Sequence, residues 1–536
     1  MARPIAQISC WITPNPSEDT EGLKLPVGFH VNNSSHGNAG RHNSQTSVDV
    51  PLFPGRSVAV GRNHHENEIS INHPNISRQH FLIYSVVYDL QAVQTQPPMV
   101  YVRDRQSLGG TYVDGHCIGE KAKGASRGFY LSKDVEISIR PYWKFRVSFL
   151  SYNELKTPLN AIQLRESSLF GHRYMITERR LGIGSFASVH LAVDVKTGLQ
   201  LACKIHDLDR LQKVRNSKEI IQRIMNETDI LGKLRHPNLP TFEYAFRSKH
   251  TLYTFTELAT GGDLFSMRLV RGVFTEKDCK FVIQQVVNAL RYLHKGGIAH
   301  RDLKPDNILF AAGPEVMSRV ILSDLGEIEN GRTHDLTVDL WSLGIIVLFL
   351  LTPYDYDWPR EWSQAAIDQW LDNIFENLSH QKISEQGQQF IRDCLMFEPS
   401  LRIDAFRAKC HLWFQQLPDK DQFKFRIQEQ IKAWKPTHLI TPPVQELPDL
   451  RYTSRNTMQA MQEDATYDAA AADKLGKRNV EADSDTDYSE ASPYFTEPKS
   501  PPSKRLRTSA SGDGNPQTDQ RIKQMAGTME LRKPNL

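Results

Sequence analysis

Between two strand-like runs the chain carries Leu181-Gly182-Ile183-Gly184-Ser185-Phe186-Ala187-Ser188-Val189. Glycine has no Cβ, so such a backbone can come close to phosphate oxygens. Taken alone, the run fits a tight hairpin equally well. Lys204 follows in Leu201-Ala202-Cys203-Lys204, and Glu227 lies on a helical stretch, Asn226-Glu227-Thr228-Asp229-Ile230-Leu231. A lysine and a glutamate so placed can pair and hold each other, although either alone also reads as a solvated surface charge. Nearer the N-terminus, Arg62 offers a charged fork, Ser77 a hydroxyl and Arg78 a second cation, on loops between short extended runs. That set suits a phosphate group.

Further on stand His300-Arg301-Asp302-Leu303-Lys304-Pro305-Asp306-Asn307 and Asp324-Leu325-Gly326. With the glycine run, Lys204 and Glu227, these motifs fall in the order and spacing of the eukaryotic protein kinases. The segment of about 240 residues that carries them resembles that family. Thr256-Glu257-Leu258 resembles its hinge, and Asp339-Leu340-Trp341-Ser342-Leu343-Gly344 the central helix of its large lobe. The resemblance implies a serine/threonine kinase that moves the γ-phosphate of ATP to protein hydroxyls, with ATP and Mg²⁺ as cofactors. It implies that Leu181, Gly182, Gly184, Ser185, Val189, Ala202 and Glu257 surround the nucleotide. Lys204 would hold its α- and β-phosphates and Glu227 would hold Lys204. Asp302 would take the hydroxyl proton, Lys304 would neutralise the transferred group, and Asn307 and Asp324 would ligate Mg²⁺. Two family positions differ: Ala187 stands for a third glycine and Leu325 for phenylalanine, the latter keeping an apolar anchor.

A larger departure follows. Asp324 and Asp339 are fifteen positions apart, where kinases fit an activation loop and an Ala-Pro-Glu motif. Fifteen extended residues reach roughly 50 Å, so the lobe can close. Little chain remains to shape a peptide platform. Arg402 and Arg301, whose family partners lie in the missing stretch, should be orphaned and the region loosened. The alternative is therefore an ATP-binding pseudokinase scaffold; a segment missing from the reading frame would also explain the spacing.

Gly61-Arg62, Ser77-Arg78-Gln79-His80 and Ser107-Leu108-Gly109-Gly110-Thr111 resemble the forkhead-associated (FHA) pattern of Gly-Arg, Ser-x-x-His and Asn-Gly-Thr. This implies an all-β sandwich that binds phosphothreonine through Arg62, Ser77, Arg78 and Thr111, with His80 bracing the loop. Gly109 replaces the family asparagine that fixes the peptide backbone. FHA followed by kinase resembles the DNA-damage and meiotic checkpoint kinases. The partners implied are phosphothreonine proteins, protein substrates and a second copy of the chain; nucleic acid and membrane are not expected partners.

The elements that must position these groups follow from pattern. The 536 residues are 39% hydrophobic and 24% charged, ordinary for a globular chain of several domains. A net charge of +3 gives no strong pull toward nucleic acid or lipid, and no apolar run is long enough to span a bilayer. Six scattered cysteines fit a reducing compartment. Residues 1–47 read as a disordered arm and 48–150 as the sandwich, with strands at 57–60, 80–87, 100–103 and 135–149. Residues 151–173 read as a linker and 174–414 as a two-lobed α+β kinase fold, with helices over 281–294 and 339–351. Residues 415–436 should form an amphipathic helix bearing Phe423, Ile427, Ile431 and Trp434. Residues 437–536 should form a disordered tail. Its basic cluster Lys504-Arg505-Leu506-Arg507 suggests nuclear import.

Overall fold

The computed structural model describes residues 4–12, 29–31, 48–87, 98–121, 126–141, 143–150, 157–184, 187–325, 336–353, 359, 362–378, 382–415, 428, 434 and 444–449. Among the described residues the N-terminal domain has twelve strands in two sheets. These are β1 (Ala6–Ile12), β2 (Phe29–Val31), β3 (Val48–Leu52), β4 (Ser57–Gly61), β5 (Ile69–Ile71) and β6 (Phe81–Val86), then β7 (Met99–Asp104), β8 (Thr111–Val113), β9 (His116–Gly119), β10 (Phe129–Leu131), β11 (Val135–Ile139) and β12 (Trp143–Phe149). One sheet runs β3-β1-β12-β11-β8-β9 and the other β10-β7-β6-β4-β5-β2. Alternation on β11 and β12 sends Ile137, Ile139, Phe145 and Val147 inward, against Phe81, Ile83 and Val102 of the facing sheet. The sandwich begins earlier than expected. β1 pairs with both β12 and β3, although it lies in the stretch read as an arm. Its Ala6, Ile8 and Cys10 recur with period two and are fully buried.

The kinase fold is preceded by α1 (Ala161–Ser167), in a stretch read as a linker. A capping box between Asn160 and Gln163 starts this helix. It buries Glu166, whose carboxylate accepts a 2.8 Å bond from the Tyr253 hydroxyl. The small lobe comprises β13 (Tyr174–Ile183), β14 (Ala187–Asp194) and β15 (Leu199–Asp207), the short α2 (Leu208–Leu211), α3 (Ser217–Leu231), β16 (Phe242–Arg247) and β17 (Thr251–Glu257). The large lobe holds α4 (Leu264–Arg271), α5 (Glu276–Lys295), the hairpin β18 (Ile308–Phe310) and β19 (Val320–Leu322), α6 (Val338–Leu351), α7 (Gln364–Glu376), α8 (Glu385–Cys394) and α9 (Ala405–Lys409). α6 is buried from Asp339 to its end, as its apolar sequence requires.

The small-lobe sheet has an unexpected sixth member. β20 (Val444–Glu446), in the stretch read as a disordered tail, pairs in parallel with β16, giving the order β13-β14-β15-β17-β16-β20. Leu447 then enters the aromatic core formed by Phe170, Tyr174, Phe246, Tyr253 and Phe255. Of the amphipathic helix expected over 415–436, the apolar positions Phe423, Ile427 and Ile431 lie outside the described residues. Trp434 is described and donates its indole N–H to Thr241. The basic cluster at 504–507 also lies outside them.

Candidate functional site

The glycine run is the turn between β13 and β14. Gly182 faces Val189, Ile183 faces Ser188, and the Gly184 N–H closes on the Ala187 carbonyl at 2.8 Å. A Cβ on Gly182 would meet nothing within 4 Å, so the space over this strand is open. Ser185 lies outside the described residues. Val189 pairs with Lys204 across β14 and β15, while Leu181 and Ala202 share one apolar cluster.

Lys204 joins three elements. Its Nζ lies 3.3 Å from Glu227 Oε1 on α3 and 2.6 Å from Asp324 Oδ1. Burial disfavours the ammonium, but the two carboxylates outweigh that and hold it firmly cationic. Lys204 in turn holds the Asp324 carboxyl below its usual range. Burial draws Glu227 upward, and Lys204 offsets part of that. Asp324 has a left-handed backbone, φ 61°, and a side chain 47% exposed, while the following Leu325 is buried. The carboxylate thus faces the cleft on an anchored backbone.

Across the cleft, Lys304 Nζ lies 2.8 Å from Asp302 Oδ2, and Asn307 Nδ2 donates to the same oxygen at 2.9 Å and to the Asp302 carbonyl at 2.8 Å. The Asn307 nitrogen is therefore committed, which leaves the amide oxygen as its ligating atom. The Ser323 N–H bonds the Asn307 carbonyl, tying the Asp324 strand to this loop. Among the described residues no group of three or more His, Cys, Asp and Glu could hold a metal. One carboxylate and one amide oxygen suit Mg²⁺, which takes its remaining ligands from phosphates and water.

Asp339, expected only as the start of the central helix of the large lobe, is an orienting residue. Its carboxylate accepts from the backbone N–H groups of His300 and Arg301, each at 2.8 Å, and lies 2.8 Å from His294 Nε2. Burial opposes its ionisation, but these bonds and the neighbouring histidines prevail and its pKa is lowered. A single carboxylate opening a helix of apolar residues was the available signal. It holds Arg301 at φ 63° and so sets the turn that presents Asp302.

The expected orphaning of Arg402 does not occur. Its guanidinium donates to the carbonyls of Met396 (2.9 Å), Thr337 (3.2 Å) and Phe397 (3.2 Å), and lies 4.9 Å from the Trp341 ring centroid. Carbonyl dipoles and an aromatic face replace the missing carboxylate. Burial lowers the group to about 10, against a smaller upward pull from Cys394 and Glu398. Arg301 is likewise not without partners. Glu257, expected beside the nucleotide, is 4% exposed, and its side chain is taken up by Thr241 and Arg319 rather than by the cleft.

On the sandwich, Arg62 and Arg78 are exposed and border one cleft with Asn63, His64 and Asn72. The last three carry no spacing signal and were not anticipated. The two arginine loops are bonded backbone to backbone, Arg62 N to Ser77 O at 2.8 Å and Asn63 N to Arg78 O at 3.1 Å. A side chain at Gly61 would strike the Arg78 carbonyl at 2.4 Å, so glycine is required for this approach. Ser77 Oγ accepts from the Leu108 N–H, leaving its hydroxyl proton to donate. His80 is fully buried and braces the loops as anticipated: Nδ1 accepts from the Ser77 N–H and Nε2 donates to Gly110 O. Thr111 is placed differently. Its side chain is fully buried and donates to Asp104 at 2.6 Å, as does Ser107, so it supports the cleft from beneath instead of lining it.

Comparison with known proteins accords with both halves. The protein kinase domain model matches residues 175–330, and the FHA domain model matches residues 58–125. The chain is 30% identical over 404 residues to the meiosis-specific serine/threonine-protein kinase mek1 of Schizosaccharomyces pombe, covering 69% of this chain and 83% of that one. It is 28% identical over 391 residues to serine/threonine-protein kinase cds1 of the same organism, covering 66% and 80%. The human calcium/calmodulin-dependent protein kinase type 1B is 34% identical over 266 residues, 45% of this chain and 74% of the relative.

Proposed function

The chain belongs to the FHA-containing serine/threonine protein kinases, and on that premise we propose how its own residues perform the reaction. Lys204 binds the α- and β-phosphates of ATP and is kept in place by Glu227. Asp324 and the Asn307 amide oxygen would hold Mg²⁺, which would supply charge neutralisation at the phosphates. Asp302 accepts the proton of the attacking serine or threonine hydroxyl, and Lys304, 2.8 Å away, stabilises the phosphoryl charge. Asp339 positions the loop and does not touch the reactants.

The observation that carries this reading is the Lys204 bridge to Glu227 and Asp324, which closes both lobes around one charge. The residues flanking the short segment support turnover over a scaffold role. Asp324 on one side meets Lys204, and Asp339 on the other meets His300 and Arg301. Full-length protein incubated with labelled ATP, Mg²⁺ and a serine/threonine peptide pool should transfer label, and Asp302→Asn should slow it by about 10²- to 10⁴-fold. Nucleotide binding without transfer by the unaltered chain would sink the catalytic reading in favour of the scaffold.

We further propose that the Arg62–Arg78 cleft recruits the kinase to phosphothreonine proteins, that two copies associate through it, and that the protein acts in the nucleus in a damage or meiotic checkpoint. A phosphothreonine peptide should bind the chain, and its unphosphorylated form should not. No helix among the described residues is long and apolar enough to cross a membrane.

A further inference from the structure

The sandwich and the kinase lobes are packed together at the hinge. Tyr84, Tyr101 and Tyr130 project from the β10-β7-β6 side of the sandwich and form an apolar cluster separate from its core. That cluster includes Leu191 of the small lobe and Leu258 of the hinge, and Leu181 and Ala202 pack against it. The last two are among the residues assigned to the nucleotide.

Polar contacts lie on both sides of the hinge. Toward the small lobe, Gln200 exchanges two hydrogen bonds with the Tyr130 backbone, at 2.6 and 3.1 Å. Toward the large lobe, Thr260 Oγ1 accepts from the Tyr84 hydroxyl at 3.0 Å and from the Gly128 N–H at 3.1 Å, and Arg103 reaches the Gly313 carbonyl at 3.2 Å. At the hinge, Arg127 Nη2 lies 3.6 Å from Glu257 Oε2. The same carboxylate takes the Thr241 N–H and hydroxyl, at 2.8 and 2.7 Å, and the Arg319 fork. One buried carboxylate thus gathers the FHA domain, the small lobe and the large lobe.

We propose that the FHA domain forms part of the frame of the nucleotide site, with Arg127 as its positioning residue acting through Glu257 on the hinge. A surface that grips both lobes restricts their relative rotation, and the hinge angle sets the width of the adenine slot. Loosening the grip then lowers nucleotide affinity without touching an atom that contacts nucleotide. The inference rests on the kinase reading above.

Two variants of the full chain test it. In Arg127→Ala the hinge loses a side chain 37% exposed, so the fold is retained. Gly128→Val acts as a wedge, since a Cβ there would stand 2.2 Å from Tyr84 Oη and 2.4 Å from Thr260 Oγ1. The measurement is titration with a fluorescent ADP analogue, alongside KM for ATP and kcat. Both variants should weaken analogue binding by about 5- to 20-fold, within the usual range for coupled sites. They should raise KM more than they lower kcat, and Arg127→Lys should recover part of the loss. Analogue affinity within twofold of the unaltered chain in Arg127→Ala would overturn the proposal, even if the melting temperature fell. An unaltered chain that bound no analogue would remove the kinase reading and this inference together.

Discussion

The two clefts proposed to handle phosphate are built in opposite ways. The FHA cleft offers exposed cations, Arg62 and Arg78, on loops fixed by backbone hydrogen bonds and a buried histidine. The kinase cleft offers anions, Asp302 and Asp324, each already holding a lysine of its own chain. A site that only recognises phosphate needs positive charge left open to it. A site that transfers phosphate needs carboxylates kept ionised, to hold a metal and to accept a proton. The contrast teaches that the first depends on backbone shape and the second on a network of ion pairs.

The sharpest test of the contrast is Asp302→Asn, which should lower phosphoryl transfer by about 10²- to 10⁴-fold while leaving nucleotide and phosphopeptide binding intact. A smaller loss would mean the base contributes little and that positioning dominates. Next in size, Arg62→Ala combined with Arg78→Ala removes two charge-assisted bonds, each worth about 1.5–3 kcal/mol. Calorimetry with a phosphothreonine peptide should find binding lost, while transfer to a free peptide substrate continues. Parallel loss of both activities would break the separation of the two sites.

Gly109→Asn should give a smaller, opposite effect. Gly109 is exposed, and an added Cβ would lie 3.7 Å from the Asn75 carbonyl, so the side chain fits. One new neutral hydrogen bond to the peptide backbone is worth about 0.5–1.5 kcal/mol, a several-fold gain in affinity. The smallest effect concerns pH. Lys204 lowers Asp324, so the carboxylate stays ionised well into the acid range. In Lys204→Met that carboxyl should return upward, and the acid limb of Mg²⁺-dependent nucleotide binding should move to higher pH. No movement of the limb would show that another group sets it.

Chemistry carried by ordered motifs was legible in the sequence, the distant Lys204–Glu227 pair included, and partners supplied by backbone or by positions without a motif were not. The proposed catalytic loop from His300 to Asn307 is a single stretch, and the side chains of Asp302, Lys304 and Asn307 meet within it. Arg402 was misjudged because backbone carbonyls, which supply its partners, leave no trace in residue type. Thr111 was misplaced because spacing names a neighbour without giving the direction of its side chain, and strand alternation turns this one inward. β1 was readable from the two-residue period of Ala6, Ile8 and Cys10, but the Pro-, Asn- and Ser-rich composition around it masked the signal. β20 offers only three residues, and its place depends on backbone pairing with β16. The Glu257 hub joins residues far apart in the chain, beyond the reach of any local pattern.

The strand borrowed from beyond the kinase domain also has a consequence for synthesis. Until Leu447 leaves the ribosome, β16 presents an open sheet edge and the aromatic core lacks a side chain. About 190 residues separate β17 from that point, an interval of about 10–40 s at ordinary elongation rates. For that time the nascent small lobe carries an edge that other strands could join. The last part of the catalytic domain to be secured is therefore one of the first to be translated, and early termination before residue 444 would release a chain with this edge permanently unpaired.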